Sequence, residues 1–341
     1  MHNQTELFDH YRDFLSHTLA HANCDLPAIS TVQDNGIVAE RVSTGILRLT
    51  PTDKQCQKRK VVLSSGVHGD ETAPIELCNA LVNGILSQQI PLCCDALFIF
   101  GNPPAMTQGL RHIDFNLNRL FCGKYRQESY REHVESPRAA IIEKAVSDFA
   151  KDAEKLFHLD LHTAIRGSVY EQFALYPYVE DRVLAQTQKQ WLEQAGIQAI
   201  VLQNKPASTF SAWTAQTFNA ESFTLELGSI GPFGKNDLTR LNALRLQLEA
   251  YLSNRIPPAC EASAARLFSV CHEIIRTSDN FELCVDKASA NFTEFPDGSL
   301  IWKDSNQQYQ VEGDSQYLIF PNPVVPVGQR AGLMLKLINP A

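Results

Sequence analysis

Two short segments bring together residue types that bind metals. Ser64-Ser-Gly-Val-His68-Gly-Asp70-Glu71-Thr-Ala-Pro74 closes an apolar run and opens a helical pattern. His68 and Glu71 are three apart, so one turn of chain carries both side chains toward the same point. Imidazole nitrogen and carboxylate oxygen both bind zinc at about 2.0–2.2 Å. Alone, H-x-x-E also describes a surface or capping pair. Leu159-Asp160-Leu161-His162-Thr163 ends a second apolar run in a histidine, and an ordinary strand-end histidine reads the same way. Two facts favour a ligand. His162 falls at the same predicted sheet edge as His68, and His, Glu and His leave a fourth position open for water, as catalytic zinc requires.

Glu226 stands inside the apolar run Phe223-Thr-Leu-Glu226-Leu-Gly228. Burying a carboxylate there is costly, so Glu226 is either paired structurally or placed for use. A general base needs such a carboxylate, with a pKa adjusted by its surroundings. Arg111-His-Ile-Asp114-Phe-Asn116-Leu-Asn118-Arg119 follows the Gly101-Asn-Pro-Pro turn. Guanidinium groups suit carboxylate recognition because they are always charged and present planar paired donors. A solvated loop with structural salt bridges is the competing reading.

Holding these groups together requires a layered fold. Residues 60–66, 96–101, 155–162, 198–203 and 222–228 are short apolar or β-branched runs and read as strands, with weaker ones at 36–38 and 45–49. Helical periodicity fills 74–87, 137–150, 182–195, 210–219 and 237–254. Leu7, Tyr11, Leu15 and Leu19 add one apolar stripe and predict a helix over 5–21. Strands alternating with helices predict an α/β fold with a largely parallel sheet, whose ligands bind beyond the carboxyl ends of the strands. At Arg255-Ile-Pro-Pro the pattern changes to short alternating segments, at 266–275, 281–285, 299–302, 309–311, 317–320 and 332–337. The division expected is an α/β catalytic domain over 1–254 and a β-rich domain over 255–341.

Composition narrows the function. The 341 residues are 44% hydrophobic and 20% charged, which suits a large core. Thirty basic against thirty-eight acidic residues give a net charge of -8. That disfavours non-specific nucleic-acid binding and a basic membrane-surface role. No apolar run is long enough to span a bilayer, and the polar, acidic N-terminus lacks the pattern of a signal peptide. Nine scattered cysteines without a C-x-x-C pair predict reduced thiols and a cytoplasmic protein. A serine or thiol hydrolase is disfavoured, because there is no G-x-S-x-G elbow and no cysteine with a convincing histidine partner.

In this order the pieces resemble the succinylglutamate desuccinylase/aspartoacylase family of the zinc carboxypeptidase-like superfamily. The pattern is Gly66-x-His68-Gly-x-Glu71, Asn102-Pro103, Arg111, Asn118-Arg119, Asp160-Leu-His162-Thr163 and Glu226, within residues 60–230. The resemblance implies a zinc-carboxypeptidase-like α/β/α layer fold with a mixed, largely parallel sheet and a small C-terminal β-rich domain. It implies one zinc ion per subunit on His68, Glu71 and His162. Glu226 would activate the attacking water, and Arg111 would polarise the scissile amide carbonyl. Asn118 and Arg119 would hold a substrate carboxylate, with Arg166 as a second cation for the substrate. One position departs. Relatives often carry an Asp two residues before the Asn-Arg pair, where it orients a ligand histidine, and here it is Asn116. Asp114 and Asp160 are the candidates to replace it.

The N-terminal helical extension and the stretches around Arg166 and Leu225-Glu226-Leu227-Gly228-Ser229 resemble the desuccinylase branch. That branch implies hydrolysis of N-succinyl-L-glutamate, within arginine breakdown by succinylation. The alternatives are an aspartoacylase-like or other N-acyl amino acid amidohydrolase, or a carboxypeptidase. A binding protein that kept the fold without catalysis is the other class, and it has no chemical need for three ligands plus Glu226. The expected partner is a small anionic acyl amino acid, with no nucleic acid and no membrane. Self-association into a homo-oligomer stays open.

Overall fold

The structure is a computed structural model, and it describes residues 7–53, 56, 59–258, 263–286, 288–305 and 307–338. The first helix, α1 (Phe14–Ala20), precedes the strands β1 (Ile29–Val32), β2 (Ile37–Ser43) and β3 (Ile46–Pro51). The layered part follows as β4 (Arg59–Ser65), α2 (Thr72–Leu86), β5 (Asp95–Phe100), α3 (Pro103–Gln108), α4 (Glu135–Ala150) and β6 (Lys155–Ala164). It continues with β7 (Gln172–Tyr176), α5 (Gln186–Gln194), β8 (Ala199–Leu202), α6 (Phe210–Phe218), β9 (Glu221–Ser229) and α7 (Asn242–Leu252).

The central sheet runs β1-β2-β3-β5-β4-β6-β9-β7-β8 and then on into the C-terminal strands. Its middle is parallel: β4 pairs with β5 and β6, and β6 with β9. The antiparallel strands lie at β1–β3 and where β7 meets β9. The middle strands are buried on both faces, which is why they read as unbroken apolar runs. Alternate β4 residues point to opposite layers. Val61 and Leu63 pack with α2 and α7, and Val62 packs with α4 and α6. The mixed, largely parallel sheet between helices is the architecture read from the sequence.

The C-terminal strands are β10 (Arg266–Ile275), β11 (Glu282–Leu283), β12 (Thr293–Phe295), β13 (Leu300–Asp304), β14 (Gln307–Gln310), β15 (Gln316–Ile319) and β16 (Arg330–Leu337). They do not stand apart. β10 pairs in parallel with β8 and carries β16, β15 and β12 into the same sheet, while β11, β13 and β14 form a separate three-stranded one.

Several local expectations are corrected. The helix predicted over 5–21 begins only at Phe14, and residues 5 and 6 lie outside the described residues. Asp9 and His10 adopt left-handed backbone. Asp13 then starts the helix afresh, its carboxylate accepting the Ser16 N–H at 2.8 Å. Tyr11 therefore leaves the apolar stripe and is exposed. Asn102-Pro-Pro is a helix start as well as a turn, because Asn102 caps α3 and Pro103 takes the first helical position. The strands β1, β7 and β12 were not read from the sequence; β1 and β12 have no fully buried residue and so no continuous apolar run. Among the described residues no helix is long and apolar enough to cross a membrane.

Candidate metal and catalytic site

The turn after β4 carries His68 and depends on close backbone packing. A Cβ on Gly69 would lie 2.2 Å from the carbonyl carbon of Ala105, so only glycine lets the turn sit against α3. The same glycine donates its N–H to Arg111 O at 3.2 Å, which joins the turn to the loop bearing Arg111. Glu71 caps the start of α2 without bonding its own helix, and the helix dipole favours a carboxylate there. Parallel pairing aligns Ser64 with Asp160 and His162 with Glu226. Strands β4, β6 and β9 thus deliver His68, His162 and Glu226 to one sheet edge.

The three expected ligands converge. His68 Nδ1 lies 2.8 Å from Glu71 Oε1, and His162 Nδ1 lies 2.8 Å from Glu71 Oε2. The two Nδ1 atoms are 3.1 Å apart, and all three residues are buried. Tetrahedral zinc with bonds of about 2.0–2.1 Å holds its ligand atoms about 3.3 Å apart, so this donor set fits the ion with little movement.

Each imidazole is also held from behind. His68 Nε2 meets Asn116 Oδ1 at 3.0 Å, and His162 Nε2 meets Asp160 Oδ2 at 2.9 Å. Asn116 therefore does orient His68, as a neutral acceptor, and Asp160 supplies the carboxylate to the other histidine. Asp114 is engaged elsewhere, accepting the N–H of Val134 at 2.9 Å. Asp160 in turn accepts from Ser64 Oγ at 2.7 Å, and Ser64 Oγ meets His158 Nε2 at 2.9 Å. Ser64 and His158 escaped the sequence reading. The available signal was strand alternation, which puts residues 158, 160 and 162 on one face.

A second acid–histidine cluster, Asp9, His17 and His21, lies at α1. There Arg41 Nη1 is 3.0 Å from Asp9 Oδ2 and 2.9 Å from His17 Nε2. A guanidinium already supplies the positive charge, so this cluster reads as a structural clamp.

Burial and charge set the protonation of the main site. Burial pushes His68 down to about 4. For Glu71 burial works upward, but the imidazoles of His68 and His162 outweigh it and hold the carboxyl well below its ordinary value. For His162 burial works downward, yet the carboxylates of Asp160 and Glu71 hold it well above its ordinary value. Burial, reinforced by the charge of Glu71, pushes Glu226 up to about 7. Glu226 Oε2 is buried with no hydrogen-bond partner among the described residues. A buried acceptor left unpaired costs on the order of 1–3 kcal/mol, which a proton-bearing ligand removes.

Arg111 Nη1 donates to Glu71 Oε1 at 2.7 Å and stays partly exposed. Its loop is organised by buried Glu135, which accepts the N–H groups of Ile113 at 2.6 Å, Asp114 at 3.2 Å and Phe115 at 3.1 Å. Nothing in the local pattern of α4 pointed Glu135 toward that loop. Asn118 Oδ1 accepts the N–H of Phe210 at 2.8 Å, and its Nδ2 lies 3.4 Å from His162 Nε2. Arg119 donates to Asn118 O at 2.9 Å, and burial pulls its pKa down to about 9. Arg166 sits half-buried in the turn after β6, four residues beyond His162.

Comparison with known proteins points the same way. The succinylglutamate desuccinylase/aspartoacylase catalytic domain matches residues 57–252, and the AstE/AspA barrel-sandwich hybrid domain matches residues 263–337. A protein of Shewanella piezotolerans named succinylglutamate desuccinylase is 38% identical over 331 residues, 95% of each chain. The crystal structure of succinylglutamate desuccinylase from Vibrio cholerae is similar at a TM-score of 0.89 and 32% identity, covering 96% of both chains. That from Chromobacterium violaceum is similar at a TM-score of 0.82 and 35% identity, covering 96% of this chain and 98% of the other. The names of these relatives describe removal of a succinyl group, so the likeness is to amide hydrolases. The chain belongs to the succinylglutamate desuccinylase/aspartoacylase family.

Proposed function

We propose that this chain hydrolyses N-succinyl-L-glutamate to succinate and L-glutamate, with one zinc ion per subunit held by His68, Glu71 and His162. The observation that carries the reading is the convergence of those three donors beside Glu226, which is in register with His162. The succinyl specificity draws its support from relatives named for it over 95% of the chain. Arginine breakdown by succinylation, in the cytoplasm, is the setting this activity fits.

The chain's own groups divide the work. Zinc, when bound, acts as a Lewis acid and lowers the pKa of bound water from about 15.7 toward about 7. Glu226, ionised, takes a proton from the attacking water as its oxygen bonds to the succinyl carbonyl carbon. The same carboxyl returns that proton to the glutamate nitrogen as the C–N bond breaks. Arg111 faces the developing oxyanion, and one such donor is worth about 2.7–4 kcal/mol of barrier. Asn118 and Arg119 hold a substrate carboxylate, and Arg166 is the further cation. Asp160 and Asn116 keep each imidazole turned so that Nδ1 faces inward.

A proton NMR time course with purified, zinc-loaded protein tests the reading directly. Free succinate should grow in, stop on chelation and resume when zinc is restored. Metal-loaded, folded protein that releases no succinate overturns the desuccinylase assignment. Turnover of N-acetylaspartate in its place would move the chain to the aspartoacylase-like alternative.

A further inference from the structure

Beneath the metal-donor group runs a chain of polar side chains that neither binds a metal nor faces solvent. Ser64 of β4, His158 and Asp160 of β6, Thr214 of α6 and Ser222 of β9 are all wholly buried. Sheet register gathers them, since Ser64 is aligned with Asp160 and His158 with Ser222. Thr214 comes from α6, which packs on β6 and β9 and sets the ring of Phe210 4.5 Å from that of His158. None of these side chains leaves a buried polar atom without a partner.

Counting protons fixes the direction of the chain. Ser64 Oγ lies 2.7 Å from Asp160 Oδ1 and 2.9 Å from His158 Nε2. A hydroxyl has one proton, and an ionised carboxylate only accepts. The Ser64 proton therefore goes to Asp160, and the Nε2–H of His158 donates to Ser64. Burial pushes His158 down to about 4, so the ring is neutral and its Nδ1 accepts. Two hydroxyls serve that nitrogen: Thr214 Oγ1 at 2.7 Å and Ser222 Oγ at 3.3 Å, themselves 2.9 Å apart. Protons thus point one way, from the hydroxyl pair through His158 and Ser64 into Asp160. With Oδ1 taken by Ser64, Asp160 offers Oδ2 to His162 Nε2 at 2.9 Å. The His162 ring then turns Nδ1 toward Glu71 and His68.

We propose that Ser64 and His158 are positioning residues for His162: a one-way hydrogen-bond chain, His158 to Ser64 to Asp160, fixes the Asp160 carboxylate so that His162 presents Nδ1 to the metal. This rests on the ligand set proposed above and deepens it. Ser64 and His158 act through Asp160, not on a metal donor directly. A fully paired buried network is rigid, because each bond is strengthened by the low-dielectric interior and each broken one leaves a costly orphan.

NMR correlation of ring protons with ring nitrogens, on metal-free protein carrying isotope-labelled histidine, reads the direction without any substitution. At neutral pH His158 should be protonated at Nε2 alone. Protonation at Nδ1, or at both nitrogens, overturns the chain. Competition with a chelator of known affinity then tests what the chain does. Ser64→Ala and His158→Phe each remove one link and should each weaken zinc binding by about 10-fold, the low end for changes behind metal ligands. His158→Gln, whose amide N–H can stand in for Nε2–H, should recover most of that loss. Unfolding midpoints of the metal-free variants separate stability from positioning. Variants that lose stability but keep the parent's zinc affinity make the chain structural only and overturn the proposal, as does H158Q binding no better than H158F. A parent protein that binds no zinc at all overturns the ligand set itself, whatever the tautomer of His158, so the two failures are told apart.

Discussion

Asp160 Oδ2 lies 2.9 Å from His162 Nε2, two residues along the same strand. Alternation along β6 places both on one face, so the strand carries a proposed metal donor together with the carboxylate that orients it. Asp160→Asn keeps the shape and removes the charge. Metal affinity should fall by about 10–100-fold with the unfolding midpoint of the metal-free protein little changed. Competition with a chelator of known affinity measures this, and an unaltered affinity would show that Asp160 only fills space.

His68 presents the opposite case, held by neutral Asn116 at 3.0 Å. Asn116→Asp places a charge behind the second imidazole and makes it a stronger donor. Zinc affinity should rise, by up to about 10-fold, within the range seen for changes behind metal ligands. The same competition titration reads it. Asn116 Oδ1 also accepts the Asn118 N–H at 2.9 Å, which an aspartate can still do.

As the proposed base, Glu226 must be ionised. Its pKa of about 7 in the metal-free protein falls when a cation binds nearby. In zinc-loaded protein the acid limb of kcat/KM should therefore lie below pH 7, with activity lost as pH drops through it. Glu226→Gln should cost about 10²–10⁴-fold in kcat with zinc content unchanged. Full activity in that variant would remove Glu226 as the base.

The same carboxyl penalises the metal-free fold. Its folded pKa is raised above the unfolded value, so the penalty is absent at pH below the unfolded pKa, grows as pH rises and is complete above pH 7. Gln carries no such penalty. Metal-free E226Q should be more stable than the parent at pH 8 by roughly 1–3 kcal/mol, and near-equal at pH 4. Urea midpoints at the two pH values give the comparison, and a pH-independent difference would contradict it.

Arg111 touches Glu71 at 2.7 Å while keeping a partly exposed guanidinium free to face substrate. Arg111→Ala should lower kcat about 10²–10³-fold, as expected for loss of one oxyanion donor. Steady-state kinetics at saturating substrate reads the effect. A change confined to KM would make Arg111 a binding residue only.

Much of the site was legible because its signals are local. His68 and Glu71 stand one turn apart, and His162 and Glu226 interrupt apolar runs where a charge is costly. The cores of β4, β5, β6, β8 and β9 were readable for the same reason, since two buried faces demand continuous apolar residues. The split of the helix expected over 5–21 turned on Asp13 capping a new start, a choice between two competing local patterns.

The sequence by itself determined the residue types, their order and the alternation of strands and helices, because periodicity and burial cost act within a few residues. Which groups meet was decided only by the tertiary structure. Parallel register set Glu226 beside His162, and Asp160 rather than Asp114 took the carboxylate role behind His162, because only β6 turns it toward that ring. Glu135 reached back to the Arg111 loop. The pairings of Glu226 with His162 and of Glu135 with the Arg111 loop span tens of residues. They follow from sheet order and close packing, which no local spacing encodes.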